Sequence, residues 1–171
     1  VSGALGWRGH SLLALAARLY LAGIFLFACV HKIADPRAFA VDVATYQILP
    51  LWSVNGVALW LPWVELVAAA SLALGLRARA GAWLVALMMA VFLAAIGSAL
   101  ARGLDLSCGC FASQGAAADP ISWKTVVRDL AWLGLALYVL AVDTSPLGID
   151  RWLSARNARH AASAAAAATR S

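Results

Sequence analysis

The chain has 171 residues, 64% of them hydrophobic and only 12% charged. A typical soluble domain carries about twice that charged share, so a water-facing surface is excluded and the expected solvent is a lipid bilayer. The net charge of +5 comes with no basic patch interleaved with polar residues, which excludes nucleic acid as a partner and leaves topology as its explanation.

Four apolar runs lie at about residues 11–30, 54–75, 80–100 and 122–142, each near the roughly 20 residues that a helix needs to cross the hydrocarbon. The expected fold is therefore all-α, a polytopic membrane four-helix bundle, with residues 1–156 as one domain and an Ala-rich, low-complexity tail at 157–171. The first run follows Arg8 and ends at Leu26-Phe27-Ala28-Cys29, a loose likeness to a signal peptide ending at a lipidated cysteine. Phe27 is bulky for such a site and Arg18 interrupts the run, so the first helix is expected to be retained. Residues 35–52 are amphipathic: Asp35, Arg37 and Asp42 stand among Phe39, Val43, Tyr46 and Ile48. Pro36 suits a first helical turn and Pro50 a stop. The reading is a short helix lying in the interface, with Tyr46, Trp52 and Trp60 in the headgroup belt.

Lysines and arginines set the orientation. Arg8, the Arg77/Arg79 pair and Arg151, Arg156 and Arg159 fall on one side. Lys32, Arg37, Arg102 and Lys124 fall on the other, diluted by Asp35, Asp42, Asp105 and Asp119. The richer side is normally cytoplasmic, so both termini are expected inside, and the first and third loops outside, in a bacterial plasma membrane.

Charged residues at membrane depth mark function or a compulsory pairing. Arg18, Glu65, Arg128 and Asp129 are such residues, and their formal charges cancel, as a paired network requires. Counting from the outer helix ends, Arg18 lies about 20 Å deep and Glu65 about 16 Å, which favours their pairing. Arg128 is shallower and either snorkels outward or reaches Glu65 from above. One reading is a buried salt bridge that fixes helix neighbours. The other is a carboxylate of tuned pKa that relays protons or faces a quinone headgroup.

The third loop contains Ser107-Cys108-Gly109-Cys110-Phe111, two thiols one glycine apart. Glycine permits the tight backbone that brings the sulfurs together. A disulfide across one residue is strained, and strained disulfides belong to the labile or catalytic class more often than the structural one. The readings are a redox-active pair, a structural bridge or a metal site. The last is weak, since two thiolates need further ligands and His31 and Cys29 are the only external additions. Cys29 is either packing or a third thiol that resolves a mixed disulfide. Arg102 or Lys124 would favour the thiolate of the pair.

Several segments together resemble the MauE family, the methylamine-utilisation membrane proteins within the wider DoxX-like group. They are RLYLAGIFLFACVHKIADPRAFAVDVATYQILP from Arg18 to Pro50, LPWVEL from Leu61 to Leu66, Phe92, CGCF at 108–111 and SWKTVVRDL from Ser122 to Leu130. The sequence departs from the family's usual pattern in having Ala112 after CGCF, where glycine is common. The resemblance implies a four-helix inner-membrane protein associated with maturation of methylamine dehydrogenase, a periplasmic enzyme whose small subunit is rich in disulfides. It implies a thioredoxin-like exported partner and a disulfide-rich substrate protein. It makes Cys108 and Cys110 the redox pair, and Arg18, Lys32, Tyr46, Glu65 and Arg128 the polar positions of the bundle.

Three functions follow as expectations: a membrane thiol–disulfide oxidoreductase, a quinone-linked oxidoreductase subunit with quinone as its cofactor, or an assembly subunit without catalysis. A transporter is disfavoured because no paired broken helices mark a midplane site. Hydrolysis is disfavoured because no Ser/His/Asp or metal constellation appears.

Overall fold

The structure is a computed structural model that describes residues 8–104, 121–142 and 156, with side chains from Leu12 onward. The Cys108–Cys110 pair, Phe111 and the Ala-rich tail lie outside the described residues. Among the described residues five helices follow in chain order: α1 Arg8–Ala34, α2 Pro36–Thr45, α3 Leu51–Leu74, α4 Ala78–Ala101 and α5 Trp123–Val142. All but α2 are long and apolar enough to cross a membrane. A helix of 24 residues, the length of α3 and α4, rises about 36 Å against about 30 Å of hydrocarbon.

The polar residues at the ends decide where these helices stop. Asp35 alone separates α1 from α2. Its carboxylate accepts the Ala38 N–H at 3.0 Å, and Pro36 takes the first turn of α2, where a missing N–H costs nothing. The second helix closes at Thr45, well before Trp52, because Gln47 takes a positive φ of 51°. Trp52 belongs to α3, which begins at once after Pro50. Gly75, at φ 63°, caps α3 in the left-handed conformation and sends the chain directly into α4.

Each spanning helix packs on two neighbours: α1 on α3 and α5, and α4 on α3 and α5. The core between them is built largely from alanine, with Ala17, Ala22, Ala68, Ala69, Ala82, Ala86 and Ala136 all buried. Small residues let helix backbones approach closely, the usual basis of packing where lipid removes the hydrophobic drive. The α3–α4 contact is the tightest case. A Cβ on Gly81 would stand 3.0 Å from Ser71 Cβ and 3.1 Å from the Ala68 carbonyl.

Large side chains point outward instead. Leu19, Phe27, Trp63, Trp83, Leu87 and Val91 are all exposed, a surface suited to lipid. Trp52 and Trp123 stand at the starts of α3 and α5 and are 85% and 76% exposed, in keeping with an interfacial belt. Tyr46 does not join that belt, contrary to expectation. It is buried, because the turn after α2 directs it onto Ile96 and Ala99 of α4.

Candidate functional site

The buried face of α1 runs through Arg18, Leu21, Phe25, Ala28, Cys29 and Lys32. Steps of three and four residues keep these on one side of a helix, so Lys32 is held in the same stripe as Arg18. Lys32 falls within the first apolar span, which runs to Ala34, and is buried rather than exposed in the loop beyond it. Its Nζ lies 2.6 Å from Glu65 Oε1 on α3, and both side chains are about nine-tenths buried. The ammonium also stands 5.0 Å from the centre of the Phe39 ring on α2, a cation–π contact. The expected partner of Glu65 was Arg18. Depth along each helix favoured it, but Lys32 has the reach and the direction to take the Oε1 position.

Around this pair is a cavity of about 400 Å³. The α3 residues Val57, Leu61 and Glu65 line it at four-residue spacing, with Phe25 and Ala28 from α1 and Phe92 and Ala95 from α4. Trp132 of α5 closes another wall, while Phe39, Asp42 and Tyr46 cover it from α2 and the turn beyond. Arg18 does not line it. Pro62 lies three residues before Glu65 in the middle of α3 and cannot donate to the Ala58 carbonyl, a local break in the helical ladder beside the carboxylate.

Two carboxylate oxygens of these lining residues are notable. Glu65 Oε2 and Asp42 Oδ2 are buried and have no hydrogen-bond partner among the described residues. Asp42 is expected from charge counting to be external, and no residue pattern around it signals that it lines the cavity. For Lys32 a signal was present: it follows Arg18 by 14 residues, close to four helical turns, so the two share a face.

The remaining candidates are placed as follows. Arg18 and Asp129 are both buried, at 1% and 0% exposure. Arg128 Nε donates to Asp129 Oδ1 at 3.0 Å, and its guanidinium lies 4.8 Å from the Trp132 ring, while the position on Glu65 Oε1 is taken by Lys32. Cys29 is fully buried and its thiol donates to the Leu26 carbonyl at 3.2 Å, the environment of a packing residue. Tyr46 packs against Phe92 at 6.3 Å between ring centres, and its carbonyl accepts from the Arg102 guanidinium. Leu104 and Ile121, the described residues on either side of the cysteine-bearing loop, both pack on this Tyr46 cluster.

Four apolar helices around a buried lysine–glutamate pair and a small-molecule-sized cavity define a polytopic membrane protein with an internal polar site. The chain belongs to the MauE family, matching the description "Methylamine utilisation protein MauE" over residues 10–142. It is 34% identical to the methylamine utilization protein MauE of Paracoccus denitrificans over 125 residues, 72% of this chain and 66% of that one. The corresponding protein of Methylophilus methylotrophus is 34% identical over 139 residues, 80% of this chain and 72% of the relative. That of Methylorubrum extorquens is 34% identical over 125 residues, with 72% and 66% covered. The chain thus spans just under two thirds of the length of the first and third of these relatives. No solved structure matches it significantly.

Proposed function

We propose that this protein supports thiol–disulfide exchange for an exported partner, with Cys108 and Cys110 as the redox pair. A partner thiolate attacks one sulfur of the Cys108–Cys110 disulfide, giving a mixed disulfide and a free thiolate. The partner's second thiolate then attacks the partner's own sulfur in the mixed disulfide and expels the cysteine of this chain, so the partner leaves with an internal disulfide and the Cys108/Cys110 pair keeps two electrons and, at neutral pH, two protons. In the reverse direction the same steps reduce a partner disulfide. The partner is a thioredoxin-like exported protein that in turn serves a disulfide-rich enzyme. Methylamine dehydrogenase is the fitting example, given the name borne by the relatives.

The observation that carries this reading is where the two described residues flanking the cysteines sit. Leu104 and Ile121 both pack beside Tyr46, at the end of the bundle where Lys32 and Glu65 meet. Cys108 is four residues beyond Leu104, and so within about 14 Å of it even at full extension. This reach supports a loop that emerges at the end of the protein holding the polar site. Inward placement of Lys32 also leaves fewer cations in the first loop, which strengthens the bias toward cytoplasmic termini and an external cysteine loop.

The test is thiol trapping in bacterial cells. With Cys108→Ser, the remaining Cys110 is expected to hold a partner in a mixed disulfide that reductant releases, and Cys110→Ser to do the converse. Loss of partner oxidation in the double variant at unchanged protein abundance supports exchange. Normal partner oxidation in that variant overturns it in favour of an assembly role. Labelling of the pair by an impermeant maleimide from the cytosolic side overturns the orientation.

A further inference from the structure

We infer that the groove between α4 and α5 is a binding site for an anionic phospholipid of the surrounding bilayer, its phosphate held by Arg79 and one acyl chain lying along the groove. The inference goes beyond thiol exchange and does not depend on it. Trp83, Ala86, Leu87 and Ala90 of α4 and Leu133 and Leu137 of α5 line the groove. Ala86 and Ala90 carry nothing beyond Cβ, while Trp83, Leu87 and Leu137 stand beside them and are exposed. The result is an apolar channel along the outside of two spans. From Ala80, which also lines it, to Ala90 the helix rises about 15 Å. That is half of the roughly 30 Å of hydrocarbon, the depth of one leaflet's acyl chains.

Charge selects the head. Positions 79, 83, 86 and 90 follow at steps of four, three and four, so Arg79 continues the channel's stripe to the start of α4. Side chains lean toward a helix N-terminus, which sends the guanidinium toward the headgroups. Arg79 is exposed and has no ion pair among the described residues. Arg77, also exposed, stands two residues earlier and adds positive potential. Neither α4 nor the turn before it contains Asp or Glu, and Asp129 lies in the opposite half of α5. Arginine holds phosphate through two parallel N–H···O bonds. A zwitterionic head brings its own cation against the two arginines, whereas a phosphatidylglycerol head has a net negative charge and brings none. A second copy of the chain fits less well. Copies inserted the same way and paired through this face would set their arginines at one depth, like charge against like. Topology accounts for arginines at this end of the bundle, but not for an apolar channel that leads to them.

The experiment places the full chain in phosphatidylcholine nanodiscs with a small fraction of a photoreactive lipid, a diazirine in the middle of one acyl chain. Its head is phosphatidylglycerol or phosphatidylcholine, and peptide mass spectrometry maps the crosslinked residues. The phosphatidylglycerol probe is expected to label residues 83–90 and 133–137 at least about fivefold more than its phosphatidylcholine twin, the effect of one cation on an anionic lipid. On the outer face of α3, at the exposed Trp60 and Trp63, the two probes should label equally. Arg79→Gln should shrink the groove's preference to about twofold or less. Arg37→Gln, which removes an exposed cation from α2 at the other end of the bundle, should leave it unchanged. The Cys108→Ser/Cys110→Ser variant should label as the unaltered protein does, separating this site from the thiol chemistry. Equal labelling of the groove by both probes, an excess as large on α3 as in the groove, or a groove closed to both probes by a second copy each overturns the inference. These three outcomes are read on the unaltered protein.

Discussion

Lys32 and Glu65 stand 33 positions apart in sequence and 2.6 Å apart in the fold, and they join α1 to α3 inside an otherwise apolar region. Removing one member of a buried pair leaves the other charge uncompensated, at a cost of about 3–5 kcal/mol. Lys32→Met and Glu65→Leu are each expected to lower the unfolding midpoint in detergent strongly. The double substitution should recover much of the loss, because no lone charge remains. A double variant as unstable as the sum of its single changes would contradict the pairing.

The α3–α4 seam predicts a steric effect of a different kind. Gly81→Val places its Cβ against Ser71 and the Ala68 carbonyl, where 3.0 and 3.1 Å are already too close. Overpacking of this sort costs about 1–3 kcal/mol. Gly23, with open space around it, is the control position: Gly23→Ala should leave the thermal midpoint unchanged or slightly raised, whereas Gly81→Val lowers it.

Arg102 holds the turn after α2 through the Tyr46 carbonyl and also donates from Nε to the Ser98 carbonyl at 3.2 Å. Arg102→Met keeps most of the side chain's bulk but ends both bonds. Faster hydrogen exchange is expected in residues 36–47, with the centre of α1 unaffected. Exchange that rises equally in both regions would mean that α2 and the bundle open as one unit.

Cys29 offers the contrast to the loop thiols. With no exposed surface and its S–H committed to Leu26, it should resist a membrane-permeant maleimide in the folded protein and react once the protein is denatured. Partner oxidation in a Cys29→Ala variant should remain normal. Lost oxidation at normal abundance would instead assign Cys29 the resolving step.

The spans were legible because long uninterrupted apolar runs have few alternatives once water is excluded as the solvent. Their ends were less so. The first helix continues through His31 and Lys32 to Ala34, past the point where hydropathy falls, since helical hydrogen bonds do not depend on side-chain polarity. The end of α2 was hidden because Gln47, not a glycine, adopts the left-handed turn. Pairing was the least legible feature. Depth along a helix is readable from residue count, but azimuth is not when nearly every position is apolar. Charge counting and the aromatic belt therefore assigned Lys32, Asp42 and Tyr46 outward, and only the family resemblance put Lys32 and Tyr46 among the polar positions of the bundle; all three line the cavity.

Only Gly75, Leu76 and Arg77 separate Leu74 from Ala78. Three residues cover about 11 Å at most, far less than the thickness of a bilayer, so α3 and α4 are obliged to form a hairpin that enters and returns. Leu51 and Ala101, at its open end, share one face of the membrane under either insertion. The folded bundle thus has two mutually inverted placements and no intermediate one. Any change in flanking charge that reverses the hairpin must also carry the lysine–glutamate end into the opposite compartment.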